Sequence, residues 1–519
     1  MWKSVLVGFV GVGMLVVGFL AATWIGSDDW VDSPAQVLNG DGEVAVVTNY
    51  GLLSQSFPMR VSAANEGGEV FVGIAHAIDA DDYLANTTTS QLGWFSPTEL
   101  RATPREAAQV ALPAAPTALD CWRSSASGPG VQSVEGSFRG QPVVAVVTTP
   151  SGVSAPLRIW VGSRWVGAFA AALGMAGLGV ALLLLGGWWQ WRRRREPVAE
   201  LPSQSTVGFV GTTALLLSVA LCASGCTAPA APPATDLPPR NQLTRDALDG
   251  IDVTALAADY NRRNDAANAA SSAPNYSTKE WDNVDTELIL HSDYFNTAWK
   301  RATKDKTKPE PCPIRLGTPY PGPSSAGYPR TVVIPYGWTC GKGADKPIAN
   351  YGVFVRDHAY SPWLHAAIVG APDSAPHNPG TQAPDPSVAA LFEAATTTIA
   401  TQLTTGGPGL ALPADLVKWR KEDLKPTYWC TDAWAVQPLR GATRTFSTDK
   451  GNVAIASLTI VDTSTARPGQ TVQWGKPWSI IYGQPGGYDT ITSTDGLMVV
   501  LELVDGEVRL TNWYAPNYL

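Results

Sequence analysis

The sequence predicts a membrane-anchored multidomain chain: three transmembrane helices, an all-β, sandwich-like exported domain, and a C-terminal α+β region. Three observations predict it. Apolar runs of helical length stand at the start and in the middle of the chain. Short alternating strand patterns fill the stretch between them. Beyond the second run, helical spacing gives way to strand patterns twice over.

Residues 1–24 hold the first span, with no charge from Val5 to Trp24. About 20 apolar residues match the hydrocarbon thickness of a bilayer. Lys3 precedes the run and Asp28 and Asp29 follow it, so the N-terminus is expected in the cytoplasm. A cleaved signal peptide is the other reading, although "FLAATW" is a poor small-x-small cleavage site. Residues 165–191 form the second span, and Arg192 to Arg195 hold residues 192–206 inside. The two assignments agree, which puts residues 25–164 outside.

A third apolar segment, residues 207–226, must return outward, as a third transmembrane helix or as a lipoprotein signal. Ala223-Ser224-Gly225-Cys226 supplies the small residues that lipid attachment to a thiol requires, with Ala223 where Leu is usual. Cys226 is therefore the candidate lipidation residue. Cleavage ahead of it would separate the two halves of the chain. Residues 227–240 are a Pro/Ala-rich linker of the kind that tethers a folded domain to an anchor.

In residues 25–164 the strand patterns are "GEVAVVTNYGLL", "EVFVGIAHA", "PVVAVVTTPSG" and "APLRIWVG". A helix-like piece, "AIDADDYLAN", interrupts them. Asp79, Asp81 and Asp82 invite a calcium reading, but the loop lacks the Gly turn and distal Glu, so a solvated helix face is expected. Ser124, Ser125 and Ser127 have no G-x-S-x-G elbow and only His76 in the domain, so "RSSASGPG" reads as a turn.

The C-terminal region divides into residues 241–385 and 386–519, each with helices first and strands after. Each half reads as an α+β module with a helix across a curved antiparallel sheet, in the manner of the cystatin or nuclear-transport-factor cone. The strand candidates include "RTVVIPYGW", "NYGVFVRDH", "WLHAAIVG", "NVAIASLTIVD", "WSIIYGQ" and a hairpin turning at Asp505-Gly506. Cys312, Cys340 and Cys430 allow one disulfide and leave one thiol over. Cys312 and Cys340 flank a Pro/Gly-rich loop and a strand-like run and are the expected pair; three buried free thiols are the alternative.

No metal site is expected: His358 and His365 beside Asp357 are seven apart, unlike an i, i+4 zinc pair. "CGKGADKP" lacks the phosphate-cradle pattern. Trp429, Trp434, Trp474, Trp478 and Trp513 read first as core and cone-lining aromatics, and second as a glycan or lipid groove. Asp432, near Trp429 and Trp434, is the first carboxylate to consider there.

Two resemblances add to this reading. "FVGIAHAIDADDYLAN", "CWRSSASGPG" and the strand "VVAVVTTPSG" leading into a span resemble a group of uncharacterised actinobacterial membrane proteins, over roughly residues 40–190. His76 and Thr149-Pro150-Ser151-Gly152 depart from that group's pattern. "YNRRNDAAN" and "VFVRDHAYSPWLHA" resemble uncharacterised actinobacterial lipoprotein-like domains. Neither resemblance implies a catalytic residue or a cofactor.

A net charge of -8 and a pI near 5.3 argue against nucleic-acid binding. The spans carry no charge for a substrate path, which argues against a transporter. The expected function is a non-catalytic cell-envelope membrane protein. Its outward domains would bind a protein partner, a lipid or a wall polymer, or accompany a membrane complex. An envelope glycan- or lipid-acting hydrolase with its site in the last α+β module is the alternative. No catalytic residue, metal or cofactor is assigned.

Overall fold

The computed structural model describes residues 2–38, 43–96, 98–109, 111–194, 237–340, 348–372 and 375–516. The chain divides into two compact units, Met1–Leu243 and Thr244–Leu519. The third apolar segment, with Cys226, lies outside the described residues.

The first unit runs α1 (Trp2–Ile25), β1 (Trp30–Asp32), β2 (Gln36–Leu38), β3 (Ala45–Thr48), β4 (Met59–His76), α2 (Ala77–Tyr83), β5 (Thr89–Ser96), β6 (Glu99–Arg105), β7 (Trp122–Gly136), β8 (Val143–Thr148), β9 (Leu157–Arg164) and α3 (Ala168–Arg194). Two segments, Val5–Ile25 and Ala168–Arg192, are long and apolar enough to cross a membrane. Their helices pack on small residues. A Cβ on Gly18 would stand 2.5 Å from the Ala176 nitrogen, and one on Gly179 would stand 2.5 Å from that of Leu15. Such close backbone approach suits helices whose surroundings offer no hydrophobic gain on association. Gly18→Ile must push the pair apart. We expect it to lower resistance to SDS or thermal unfolding by about 1–3 kcal/mol; an unchanged midpoint would show that the helices do not meet at Gly18.

The strands of this unit form one nine-stranded sheet, ordered β1-β9-β4-β8-β3-β5-β6, with β2 on β9 and β7 on β4. The expected pair of facing sheets is replaced by a single sheet that curls. The cause is β4, which is 18 residues long and changes partner. Met59–Asn65 pairs with β9, whereas Phe71–His76 pairs with β8. An irregularity between Ala64 and Glu69 marks the bend. The curled face closes on Val61, Val72, Leu92, Val147 and Ile159. "RSSASGPG" is not a turn: it lies within β7, where Ser125 pairs with Gly73 and Ser127 with Phe71. Gly128 and Gly130, at φ 151° and 75°, let β7 follow the bend of β4.

The second unit runs α4 (Val253–Ala270), α5 (Glu287–Thr303), β10 (Ile314–Leu316), β11 (Arg330–Trp338), β12 (Asn350–Arg356), β13 (Leu364–Gly370), α6 (Pro386–Thr405), α7 (Ala414–Asp423), β14 (Cys430–Thr448), β15 (Gly451–Ala466), α8 (Trp478–Ile481), β16 (Thr490–Val504) and β17 (Glu507–Tyr514). Each half is a pair of helices followed by a four-stranded antiparallel sheet in chain order. Capping fixes where helices begin: Asp252 accepts from the Thr254 and Ala255 amides, and Asp385 accepts from Ser387 ahead of Pro386 at the first turn. Gly406, at φ 72°, ends α6. Asp505 and Gly506, at φ 53° and 83°, make the two-residue turn joining β16 to β17.

Strand periodicity sorts the side chains into layers. Leu256, Tyr260 and Trp281 cover Val332, Ile334 and Phe354 on one sheet. Phe392, Ile399 and Leu416 cover Ala454, Ala456, Leu497 and Val499 on the other. The opposite faces meet each other, with Val333, Tyr351 and Val353 packed in one cluster with Phe446, Ile455 and Val500. Helices, sheet, sheet, helices is therefore the layer order. Over these clusters each sheet is covered on both faces.

Two local readings change. "WSIIYGQ" contains the helical turn α8 instead of a strand; four apolar residues carry no period to separate the two states. Strand β14, 19 residues long, is missing from the sequence's strand candidates because Pro438 and Gly441 punctuate it. They lie at its register shift, between Pro438 and Thr443. Cys312 and Cys340 are disulfide-bonded across 28 residues, tying the entry of β10 to the end of β11.

Candidate functional site: an acidic, aromatic cleft

Strands β14, β15 and β16 run beyond the cover of α6, and their helix-side face changes character along the way. Leu458 pairs with Leu497, next Ile460 with Asp495, and then Asp462 sits between Trp434 and Ser493. One step further, Asp432 pairs with Ser464. A period of two puts all of these on one face. Helix α7 packs Leu416 into the cluster of this face, with Leu458, Ile460 and Leu497, and finishes on Asp423.

Two of the carboxylates are held in place by hydrogen bonds. Trp434 Nε1 donates to Asp423 Oδ2 at 2.8 Å. The Ser464 hydroxyl donates to Asp432. Around them stand indole rings from separate segments. Trp419 stacks on Trp513 at 5.2 Å and 15° and meets Trp434 at 4.8 Å. Trp478 of α8 rests against Phe295 and Trp299 of α5, at 5.2 and 5.4 Å, and lies nearly parallel to Tyr482. Some of them line an open cleft of about 560 Å³, formed by Trp419, Asp423, Trp478, Asp495, Trp513, Tyr514, Ala515 and Pro516. Gly496 lets the chain close there: its amide donates to the Pro516 carbonyl at 3.1 Å, and a Cβ would stand 2.9 Å from the Pro516 ring.

Negative charge is crowded in this place. Burial, then Asp423, Asp432 and Asp495, push the Asp462 carboxyl up to about 7. Burial, then Asp423, push Asp495 up to about 6. Among the described residues, no Lys, Arg or His forms an ion pair with any of the four carboxylates. One oxygen of Asp462 is buried with no hydrogen-bond partner. The flat rings can stack on an apolar or cationic surface, and Asp462 and Asp495 beside them can exchange protons near neutral pH.

A second titratable cluster is closed to solvent. The Tyr260 hydroxyl donates to Asp285 at 3.1 Å, and His365 lies 3.9 Å from the same carboxylate. His365 stacks on Tyr336 at 4.9 Å and on Phe354 at 5.0 Å. Burial pushes this imidazole down to about 3, so it is neutral. Burial also raises Asp285 and lifts Asp293 to about 6.

The sequence candidates distribute as follows. Asp432 and Trp434 belong to the acidic face, and Trp478 and Trp513 line the cleft. Trp474 packs on Tyr482 at 4.8 Å, behind that wall. Trp429 is exposed beside Tyr428 and takes no part. His358 stacks on Tyr360 and shares no ligand position with His365. Among the described residues no group of three or more His, Cys, Asp or Glu could hold a metal. Asp79 is buried, contrary to the solvated face expected, while Asp81 pairs with Arg240. His76 Nδ1 accepts from the Ile78 amide and caps α2. Residues 341–347 of "CGKGADKP" lie outside the described residues.

Asp423, Asp462 and Asp495 were not singled out in the sequence. The available signal was an acid at an inward position of a strand, and it becomes visible only once register is known. No family model, no curated protein and no solved structure matches this chain.

Proposed function

We propose that this is a non-catalytic, membrane-anchored binding protein of the cell envelope whose ligand occupies the acidic, aromatic cleft. The observation that carries this is the cleft itself, with rings and carboxylates converging from α7, α8, β16 and β17. A large, partly apolar concavity with a few converging polar groups is the usual form of a ligand site. The two apolar helices supply the anchor. In this reading the N-terminus is cytoplasmic, both units face outward, and Cys226 is the lipidation residue if the third apolar segment is a lipoprotein signal. The resemblance to actinobacterial membrane proteins and lipoproteins agrees with an envelope location.

One observation favours a hydrolase as the second reading. Asp462 and Asp495 retain protons close to neutrality, as acid catalysts of glycan cleavage do. Native mass spectrometry of the full chain in detergent, offered glycan and lipid fragments of the host envelope, separates the two. The binding reading predicts an adduct of unchanged mass, weakened about 10-fold or more in Trp513→Ala and in Asp495→Asn. Conversion of the fragment to smaller products would establish the hydrolase. No adduct and no conversion would remove the cleft as a functional site.

A further inference from the structure

We propose that the cleft receives an organic cation, an alkylammonium group seated against the indole faces and within reach of Asp423 and Asp495; this rests on the cleft being a ligand site. Trp419, Trp478, Trp513 and Tyr514 line a space of about 560 Å³, large enough for a cationic head and part of the molecule that carries it. Indole faces attract a cation through their ring quadrupole, most strongly where water is excluded. The same space is lined by two carboxylates, with Asp462 and Asp432 on the sheet face beside them. None of these acids is ion-paired to a described basic side chain.

The alternatives fit less well. An anion would be repelled by this wall. A neutral sugar would stack on the rings but leave the crowded charge uncompensated. A bare metal ion needs several oxygens at ligand distance, and no described group of acids provides them. Asp423 also ends α7, where the helix's terminal carbonyls add to the negative potential. An alkylammonium group satisfies both the rings and the acids. The groups that titrate around it are Asp423 on α7, Asp432 on β14, Asp462 on β15, Asp495 on β16, Tyr482 just after α8 and Tyr514 on β17.

The test is calorimetric titration of the full chain, in phosphatidylglycerol nanodiscs, with choline and with its neutral isostere 3,3-dimethylbutan-1-ol. Choline is expected to bind at one site and the isostere about 10-fold or more weakly. Binding should weaken by a similar factor in Asp495→Asn, and again on going from pH 8 to pH 5, where Asp462 and Asp495 carry protons. Trp478→Ala should weaken it without moving the pH dependence. Discs containing phosphatidylcholine distinguish the source. Loss of the choline signal there identifies a lipid headgroup as the cation, and an unchanged signal identifies a soluble amine. Equal binding of the isostere, or binding indifferent to Asp495→Asn, would overturn the cation. Failure of choline with binding of an N-acetylglucosamine oligomer, abolished by Trp478→Ala, would overturn the cation and leave the cleft standing. Failure of both would remove the cleft as well.

Discussion

Replacing Asp462 with Asn stabilises the protein at pH 8 by on the order of 1–2 kcal/mol, and the gain disappears by pH 4. The direction follows from the sign of the shift. The folded Asp462 carboxyl titrates at about 7, against 3.8 for an ordinary Asp. Below 3.8 both states carry the proton and the group costs nothing. As pH rises from 3.8 toward about 7, the unfolded chain releases its proton while the folded chain, in a crowded acidic face, keeps it, so stability falls; above about 7 both are ionised and the full penalty remains. Asn removes that penalty at high pH only. The full shift, taken at face value, would be worth more, but the group is roughly half exposed and water screens it. Asp495, at about 6, behaves the same way on a smaller scale. Asp293, at about 6 and half-buried, keeps some of the slope in the variant. His365 works in the opposite sense: its folded value of about 3 lies below the usual 6.5, so its stability is complete above 6.5 and is lost on acidification toward 3. Thermal unfolding of wild type and Asp462→Asn across pH 4 to 8 reads this out. Parallel curves would mean that Asp462 is not in the crowded position described.

The second large effect concerns the junction of the two halves. Phe446→Ala should cost about 3–5 kcal/mol. Its ring is fully buried and contacts Tyr320 at 4.7 Å and Tyr351 at 5.2 Å, although these residues belong to the other half of the unit. It therefore joins two sheets that cannot bury their inner faces alone. The unfolding of residues 244–519 should remain one transition that moves to lower temperature as a whole. Two separated transitions in chemical denaturation would show that the halves are independent modules.

Much of the secondary structure could be read directly from residue patterns. The apolar helices, the α2 insertion, the strands β11, β12, β13 and β15, and the Asp505-Gly506 turn all carry local signals. What the patterns could not convey was partnership. Only the second half of β4, within "EVFVGIAHA", carries a strand signal, and nothing local says that the strand begins at Met59 or that it exchanges β9 for β8 halfway along. The repeated helix–strand order announced two α+β halves, but their face-to-face burial depends on residues such as Phe446 and Tyr351 meeting over 95 positions of sequence. The cleft was half legible. Trp434, Trp478 and Trp513 stood out by type, and Asp432 by proximity to tryptophan. Asp462 and Asp495 were hidden because their importance comes from strand register, which sets them on the helix-side face beneath Asp423.

A ligand in the proposed cleft would sit among these rings. The most direct measurement is fluorine NMR of the full chain labelled with 5-fluorotryptophan, with resonances assigned by single Trp→Phe replacements. On titration with solubilised envelope fractions, the resonances of Trp419, Trp478 and Trp513 should shift together, while those of Trp122 and Trp281 stay in place. Shifts confined to tryptophans outside the cleft, or no shift with any fraction, would contradict the account.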